Sequence, residues 1–156
     1  MKYPAAAGVV AIAVVADQVS KYLVERRLPL QQAVDVLPFF ALFRTYNRGI
    51  AFSMFDFAGD RVLIALTVLI LLLVAYFWVK TQPDRTLARL GLALITGGAL
   101  GNLIDRVIHG HVIDFVLLHA GEWSFAVFNL ADSLITVGAG LVLLGEILPS
   151  RKNGKA

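Results

Sequence analysis

From Val62 to Val79 the chain runs for 18 residues without a charged side chain. Such a segment is long enough to cross a bilayer as a helix, for which about 20 apolar residues suffice. Three more apolar blocks lie near the same length, giving expected helices at about 4–26, 61–80, 86–107 and 124–148. With 58% hydrophobic and 16% charged residues, the chain departs from a soluble domain, which averages about 45–50% apolar and about 25% charged. The reading is a multi-pass membrane protein of one domain, residues 1–156.

The stretch Leu28–Asp60 between the first two blocks is too long for a plain connector. It carries Pro29, Pro38 and the run FFALFRTYNRGIAFSMF. Aromatic and β-branched residues with partial alternation predict short strands, with a turn between them at Asn47-Arg48-Gly49. The expected class is therefore an all-α membrane bundle of four helices with a small β-rich platform at about 28–60. An interfacial amphipathic helix is the alternative for 52–60.

Lys2 followed by Ala5–Val15 also has the form of a secretory signal, but the apolar stretch continues through Val19, Tyr22 and Leu23. Four spans place both termini on one side. Each side then collects seven Lys and Arg residues, so the positive-inside rule gives a tie by count. The short, densely basic 80–89 loop and the tail favour both termini inside. Tyr76, Phe77 and Trp78 at one end of the second block, and Trp123, Phe125 and Phe128 at the start of the fourth, are expected interfacial belts. Cysteine is absent, which removes thiol nucleophiles and thiolate metal sites. The formal charge of +3 is spread over short loops and does not suggest nucleic acid.

Ionisable groups in lipid are expensive and mark functional sites. They concentrate between Gly97 and Asp132. In the fourth block Asn129, Asp132, Ser133, Thr136 and Gly140 share one helical face, expected toward the bundle interior, with Asp132 roughly 10 Å below the interface by helical rise from Phe125. In the third, Gly97 and Gly101 permit close helix approach, and Asn102, Asp105 and Arg106 share a face; a structural ion network is the favoured role of Asp105. Asp114 follows in an apolar, extended HVIDFVLL. Asp17 and Lys21 stand in the favourable i, i+4 order for an ion pair. Two aspartates at one depth share a proton, so that one activates water and the other protonates a carbonyl; Asp114 and Asp132 are the candidates. His109, His111 and His119 invite a metal reading with Asp114, but no H-E-x-x-H is present, and neither metal nor cofactor is expected.

Five stretches carry a resemblance: DQVSK at 17–21, NRGIAF at 47–52, GGALGNLIDR at 97–106, VIDF at 112–115 and FNLAD at 128–132. In order and spacing the chain resembles lipoprotein signal peptidase, or signal peptidase II, a bacterial intramembrane aspartic protease family. Ser20 stands where the family often has threonine, keeping the hydroxyl. The resemblance implies four transmembrane helices in the bacterial inner membrane, a retained first helix, both termini cytoplasmic and an active site near the periplasmic face. It implies Asp114 and Asp132 as the catalytic dyad, and Asn47, Gly49, Asn102, Arg106, Asn129 and Ala131 as site-lining positions. Asp105 is grouped with that lining, and Asp17 and Lys21 match the family's first motif. The implied substrate is a prolipoprotein whose lipobox cysteine carries diacylglycerol, cut just before that cysteine. Globomycin is the implied inhibitor, and membrane lipids are the implied surroundings of a protein expected to act as a monomer. A small four-helix transporter or proton path with relay aspartates is the competing class.

Overall fold

A computed structural model describes residues 1–49, 59–121 and 123–148. Its helices are α1 (Tyr3–Arg27), α2 (Gly59–Lys80), α3 (Thr86–His109) and α4 (Leu130–Ile147). Each is long and apolar enough to cross a membrane. The strands are β1 (Ala33–Leu37), β2 (Phe40–Asn47), β3 (Val112–Ala120) and β4 (Trp123–Ser124). They form one antiparallel sheet in the order β1-β2-β3-β4.

α1 begins with Pro4 in its first turn, where a missing N–H is harmless, and ends before Pro29, with Arg26 and Arg27 in the last turn. α3 stops at Gly110, whose φ of 70° closes the helix with a bond to the Arg106 carbonyl. α3 is the central helix, packed on α1, α2 and α4. Small residues allow these contacts. Gly97 faces Ala13 and Gly101 faces the Asp17 carboxylate, so the expected close approach on these two glycines is made by α1. α4 meets α3 through Ala131, Gly138 and Gly145, spaced by seven; a Cβ on Gly138 would lie 2.7 Å from the Gly91 carbonyl.

Three features differ from the sequence reading. First, α4 starts at Leu130 rather than near Ser124. Residues 123–128 are extended and pair with β3, through Phe125 N–H to Leu118 O (2.8 Å) and Val116 N–H to Phe128 O (2.7 Å). A short apolar run fits a strand as well as a helix, and Trp123, Phe125 and Phe128 therefore precede the helix. Second, the stripe on α4 does not all face inward. Asn129 is buried, Asp132 and Ser133 are half-buried, and Thr136 is exposed. Among the described residues nothing lies within 4 Å of a Cβ placed on Gly140. Third, the hairpin between β1 and β2 turns at Pro38-Phe39. The turn at Asn47-Arg48-Gly49 instead closes β2. The platform also extends beyond 28–60, because β3 and β4 complete its sheet. Residues 50–58, including most of the 52–60 alternative, lie outside those described.

Met1, the 81–85 connection and the end of α4 meet at one end of the bundle. The Met1 amino group donates to Pro83 O (2.6 Å) and Arg85 Nη1 to Gly145 O (3.0 Å). The sheet lies at the other end.

Candidate active site

The site forms where β3, the start of α4, and the sheet-side thirds of α1 and α3 converge. Its geometry depends on a bulge. From Phe40 to Leu42, β2 pairs with β3 in one register (Leu42 opposite Val116), and from Thr45 to Asn47 in another (Thr45 opposite Asp114, Asn47 opposite Val112). Phe43 and Arg44 together oppose Phe115. One inserted residue exchanges the faces of all that follow it. Asn47 thereby joins Asp114 on one face, and its Nδ2 donates to Asp114 Oδ2 at 2.9 Å. The Asn47 Oδ1 accepts the Gly49 N–H at 2.7 Å, in a turn that Gly49 enters at φ +86°. The turn therefore fixes which end of the amide faces the aspartate.

Asn129 caps α4. Its Oδ1 accepts the Asp132 N–H (3.0 Å), and Asp132 Oδ2 accepts the Asn129 N–H (3.1 Å), a reciprocal capping box. Asp132 is thus in the first helical turn, and the depth estimated by helical rise from Phe125 does not apply. The Asn129 Nδ2 has two further acceptors, Asp114 Oδ1 (2.7 Å) and Asn102 Oδ1 (3.1 Å). Asn102 completes the ring by donating Nδ2 to Asp132 Oδ1 at 2.8 Å. Asp114 and Asp132, 18 positions apart in sequence, are therefore both bonded to Asn129.

Behind this ring lies an ion cluster. Lys21 Nζ donates to Asp17 Oδ2 (2.8 Å) and Asn102 Oδ1 (3.0 Å) and forms an ion pair with Asp105 Oδ2 (2.8 Å). Asp17, Lys21 and Asp105 are each at most 2% exposed. Asp105 Oδ2 also accepts the Ile113 N–H (3.3 Å), anchoring the start of β3. Asp17 Oδ1 accepts the Ala131 N–H (3.0 Å), so α1 supplies a cap to α4. Arg106 lies one turn beyond Asn102 and directs Nη1 to the Asn102 carbonyl at 3.4 Å.

Gln18 was missed by the sequence reading. Its Nε2 reaches Asp17 Oδ2 (3.2 Å), Gly101 O (3.2 Å) and Asp105 Oδ1 (2.9 Å). The available signal was its place within DQVSK, beside Asp17 and directly after the apolar run Ala5–Ala16.

Asp114 is 2% exposed. Burial pushes its carboxyl up to about 6; the bond from Asn47 opposes this, and the nearby Asp132 carboxylate adds to it. The histidines are placed elsewhere. His111 packs on Tyr46 with ring centres 4.2 Å apart and lies 5.9 Å from His109, while His119 faces Asp35 at 3.6 Å. Among the described residues no three His, Asp or Glu side chains gather into a metal-binding group.

A groove of about 520 Å³ runs up to Asp132, walled by Leu118, Trp123, Phe125, Phe128 and Val137. Ser133 and Thr136 line it beside Asp132. A half-buried carboxylate thus meets an apolar channel open at the side of the bundle.

The sequence model of the signal peptidase II family matches residues 9–148. The chain belongs to the signal peptidase II family. It is accordingly a protease, of the aspartic type. Proteins called lipoprotein signal peptidase from Brucella ovis, Brucella canis and Brucella abortus are each 56% identical to it over 144 residues, covering 92% of this chain and 90% of theirs. Two solved structures described as bacterial membrane enzymes by the in meso method share the fold. One has a TM-score of 0.83 at 28% identity, covering 93% of this chain and 94% of its own. The other has a TM-score of 0.82 at 26% identity, covering 99% and 94%.

Proposed function

We propose that Asp114 and Asp132 are the catalytic pair of this signal peptidase II, and that it removes signal peptides from diacylglyceryl-modified prolipoproteins by cutting just before the modified cysteine. The observation that carries this reading is the shared hold of Asn129 on both carboxylates. Two carboxylates so placed hold one proton between them. Asp114, the more buried, is the one that takes up this proton for the reaction.

A water between the two loses a proton to Asp132 as its oxygen attacks the scissile carbonyl carbon. Asp114 gives its proton to the carbonyl oxygen, forming a neutral gem-diol. The diol collapses when one hydroxyl proton returns to Asp114, the C–N bond breaks, and Asp132 passes its proton to the departing amine. The pair ends as it began, with one proton. Asn47, Asn102 and Asn129 hold the acceptors in place, so little reorganisation precedes the chemistry.

The groove beside Asp132 suits a substrate that arrives sideways through the bilayer. Peptide near the cut must be unwound, and its freed backbone groups need polar partners; Asn47, Asn102 and Arg106 border the position where they would lie. In this reading both termini are cytoplasmic, the sheet and site face the periplasm, and the enzyme works as a monomer. Globomycin occupies the space in front of the pair and competes with substrate.

The test is to incubate the purified full chain with a diacylglyceryl-modified precursor, with chelator present, and map the new ends by mass spectrometry. Cleavage at the bond preceding the modified cysteine is expected. Failure to cut there, or cutting that survives in Asp114→Asn and Asp132→Asn, would contradict this reading.

A further inference from the structure

α2 packs along α3 and is flanked by two clefts. The cleft toward α1 has about 530 Å³ and no charged residue in its lining. The cleft toward α4 is larger, about 750 Å³, with Leu73, Phe77, Ile95, Val142 and Leu143 among its walls. That volume lies within the range of about 300–1,000 Å³ usual for ligand sites. Its mouth is different in kind, for Lys80, Thr81, Gln82 and Arg85 line it together with Glu146.

The mouth lies where α2 ends, next to Tyr76, Phe77 and Trp78, the aromatic belt expected at a membrane surface. Among the described residues its cations are not used up. Lys80 is exposed and only rests over the Tyr76 ring at 5.7 Å. Among the described residues Arg85 makes its bonds to Gly145 O (3.0 Å), Glu146 O (3.5 Å) and Glu146 Oε2 (3.0 Å) through Nη1 alone. Lys80 and Arg85, with Arg89 beneath them, make three cations against Glu146 and the neighbouring Asp84, which leaves this end of the cleft net positive. Beneath it Arg89, 5% exposed, donates twice to Thr81 O (3.2 and 2.8 Å) and once to Met1 O (2.8 Å). Arg89 thereby fixes the 80–82 backbone that presents these groups.

We propose that the α2–α4 cleft binds an anionic phospholipid, with acyl chain along Leu73, Phe77 and Leu143 and the phosphate between Lys80 and Arg85. An apolar trough ending in a positive mouth at interfacial depth complements that class of molecule. The uncharged cleft on the other side of α2 has the trough without the mouth and selects no headgroup. The site lies at the opposite end of the bundle from the aspartates, so the inference stands apart from the catalytic reading.

The experiment is native mass spectrometry of the detergent-purified full chain with equal amounts of dioleoyl phosphatidylglycerol and dioleoyl phosphatidylcholine. Phosphatidylglycerol adducts are expected to dominate. Lys80→Gln should weaken them about fivefold, the worth of one interfacial cation, and leave phosphatidylcholine unchanged. Leu143→Trp, which fills the trough, should weaken phosphatidylglycerol binding as well, while Lys2→Gln, a cation at the same end outside the cleft, should not. Equal binding of the two lipids, or an unaltered Lys80→Gln or Leu143→Trp protein, would overturn the proposal. So would a Lys2→Gln loss as large as that of Lys80→Gln, or a second copy of the chain seated in the cleft in place of lipid.

Discussion

Oδ1 of Asp17, just past the middle of α1, accepts the backbone N–H of Ala131 in the first turn of α4 at 3.0 Å. The first helix therefore helps to hold the helix end that carries Asp132. The other oxygen of Asp17 pairs with Lys21 in a site with almost no exposure. Removing one partner of a buried pair typically costs about 3–5 kcal/mol. Asp17→Ala should lower the Tm in detergent sharply, and the surviving folded fraction should show reduced kcat because α4's first turn has lost a cap. An unchanged Tm and full turnover would separate Asp17 from the site.

Gly101 stands against the Asp17 carboxylate, whereas among the described residues Gly140 meets nothing within 4 Å. Gly101→Ala should therefore destabilise by about 1–3 kcal/mol, the usual range for overpacking. Gly140→Ala should be neutral or stabilise by up to about 1 kcal/mol through helix propensity. Tm values for the two variants in one detergent check the contrast.

Asp114 rises to about 6 because it is buried, with Asn47 holding it down and Asp132 pushing it up. Asn47→Ala should accordingly move the corresponding limb of the kcat/KM–pH profile upward and lower kcat. The apparent value belongs to the pair rather than to one residue. A limb that stays in place or moves down in Asn47→Ala contradicts the assignment.

The same shift gives stability a pH dependence. Folded Asp114 binds its proton more tightly than the unfolded chain does. Its contribution is fully present below the unfolded value of 3.8 and is lost as pH rises through about 6. Relative to Asp114→Asn, which has no such proton, the wild type should lose Tm between about pH 4 and pH 6. Parallel Tm curves would show that Asp114 is not buried as described.

Much of this was legible in sequence because membrane spans are announced by length and apolarity alone. The polar residues were legible too, since so few interrupt the apolar blocks. What the residues did not reveal was the partner of β3. VIDF was read as extended, but its pairing with β2 and the bulge at Phe43-Arg44 depend on tertiary register, and they decide that Asn47 meets Asp114. The start of α4 was misplaced because Trp123–Phe128 is as apolar as a helix. The Asn129-x-x-Asp132 spacing is a capping signature and was available to correct it. Gln18 was passed over because a single amide beside an aspartate gives no periodic signal; only the convergence of Asp17, Gly101 and Asp105 shows its use.

Asn129 bears on both carboxylates and on the cap. Asn129→Ala should lose about 1–2 kcal/mol of stability as a cap and, through misplacement of the pair, on the order of a hundredfold in kcat, with a smaller change in KM. Loss of stability without loss of kcat would reduce it to a structural role.

The central claim is that Asp114 and Asp132 act as one unit, and kcat for Asp114→Asn, Asp132→Asn and the double variant on a lipid-modified precursor tests it most directly. Residues that act together are strongly non-additive. Each single variant should therefore lose at least about a thousandfold, and the double variant should lose no more than either. A single variant within tenfold of wild type, or a double variant whose loss is the product of the two, would contradict it.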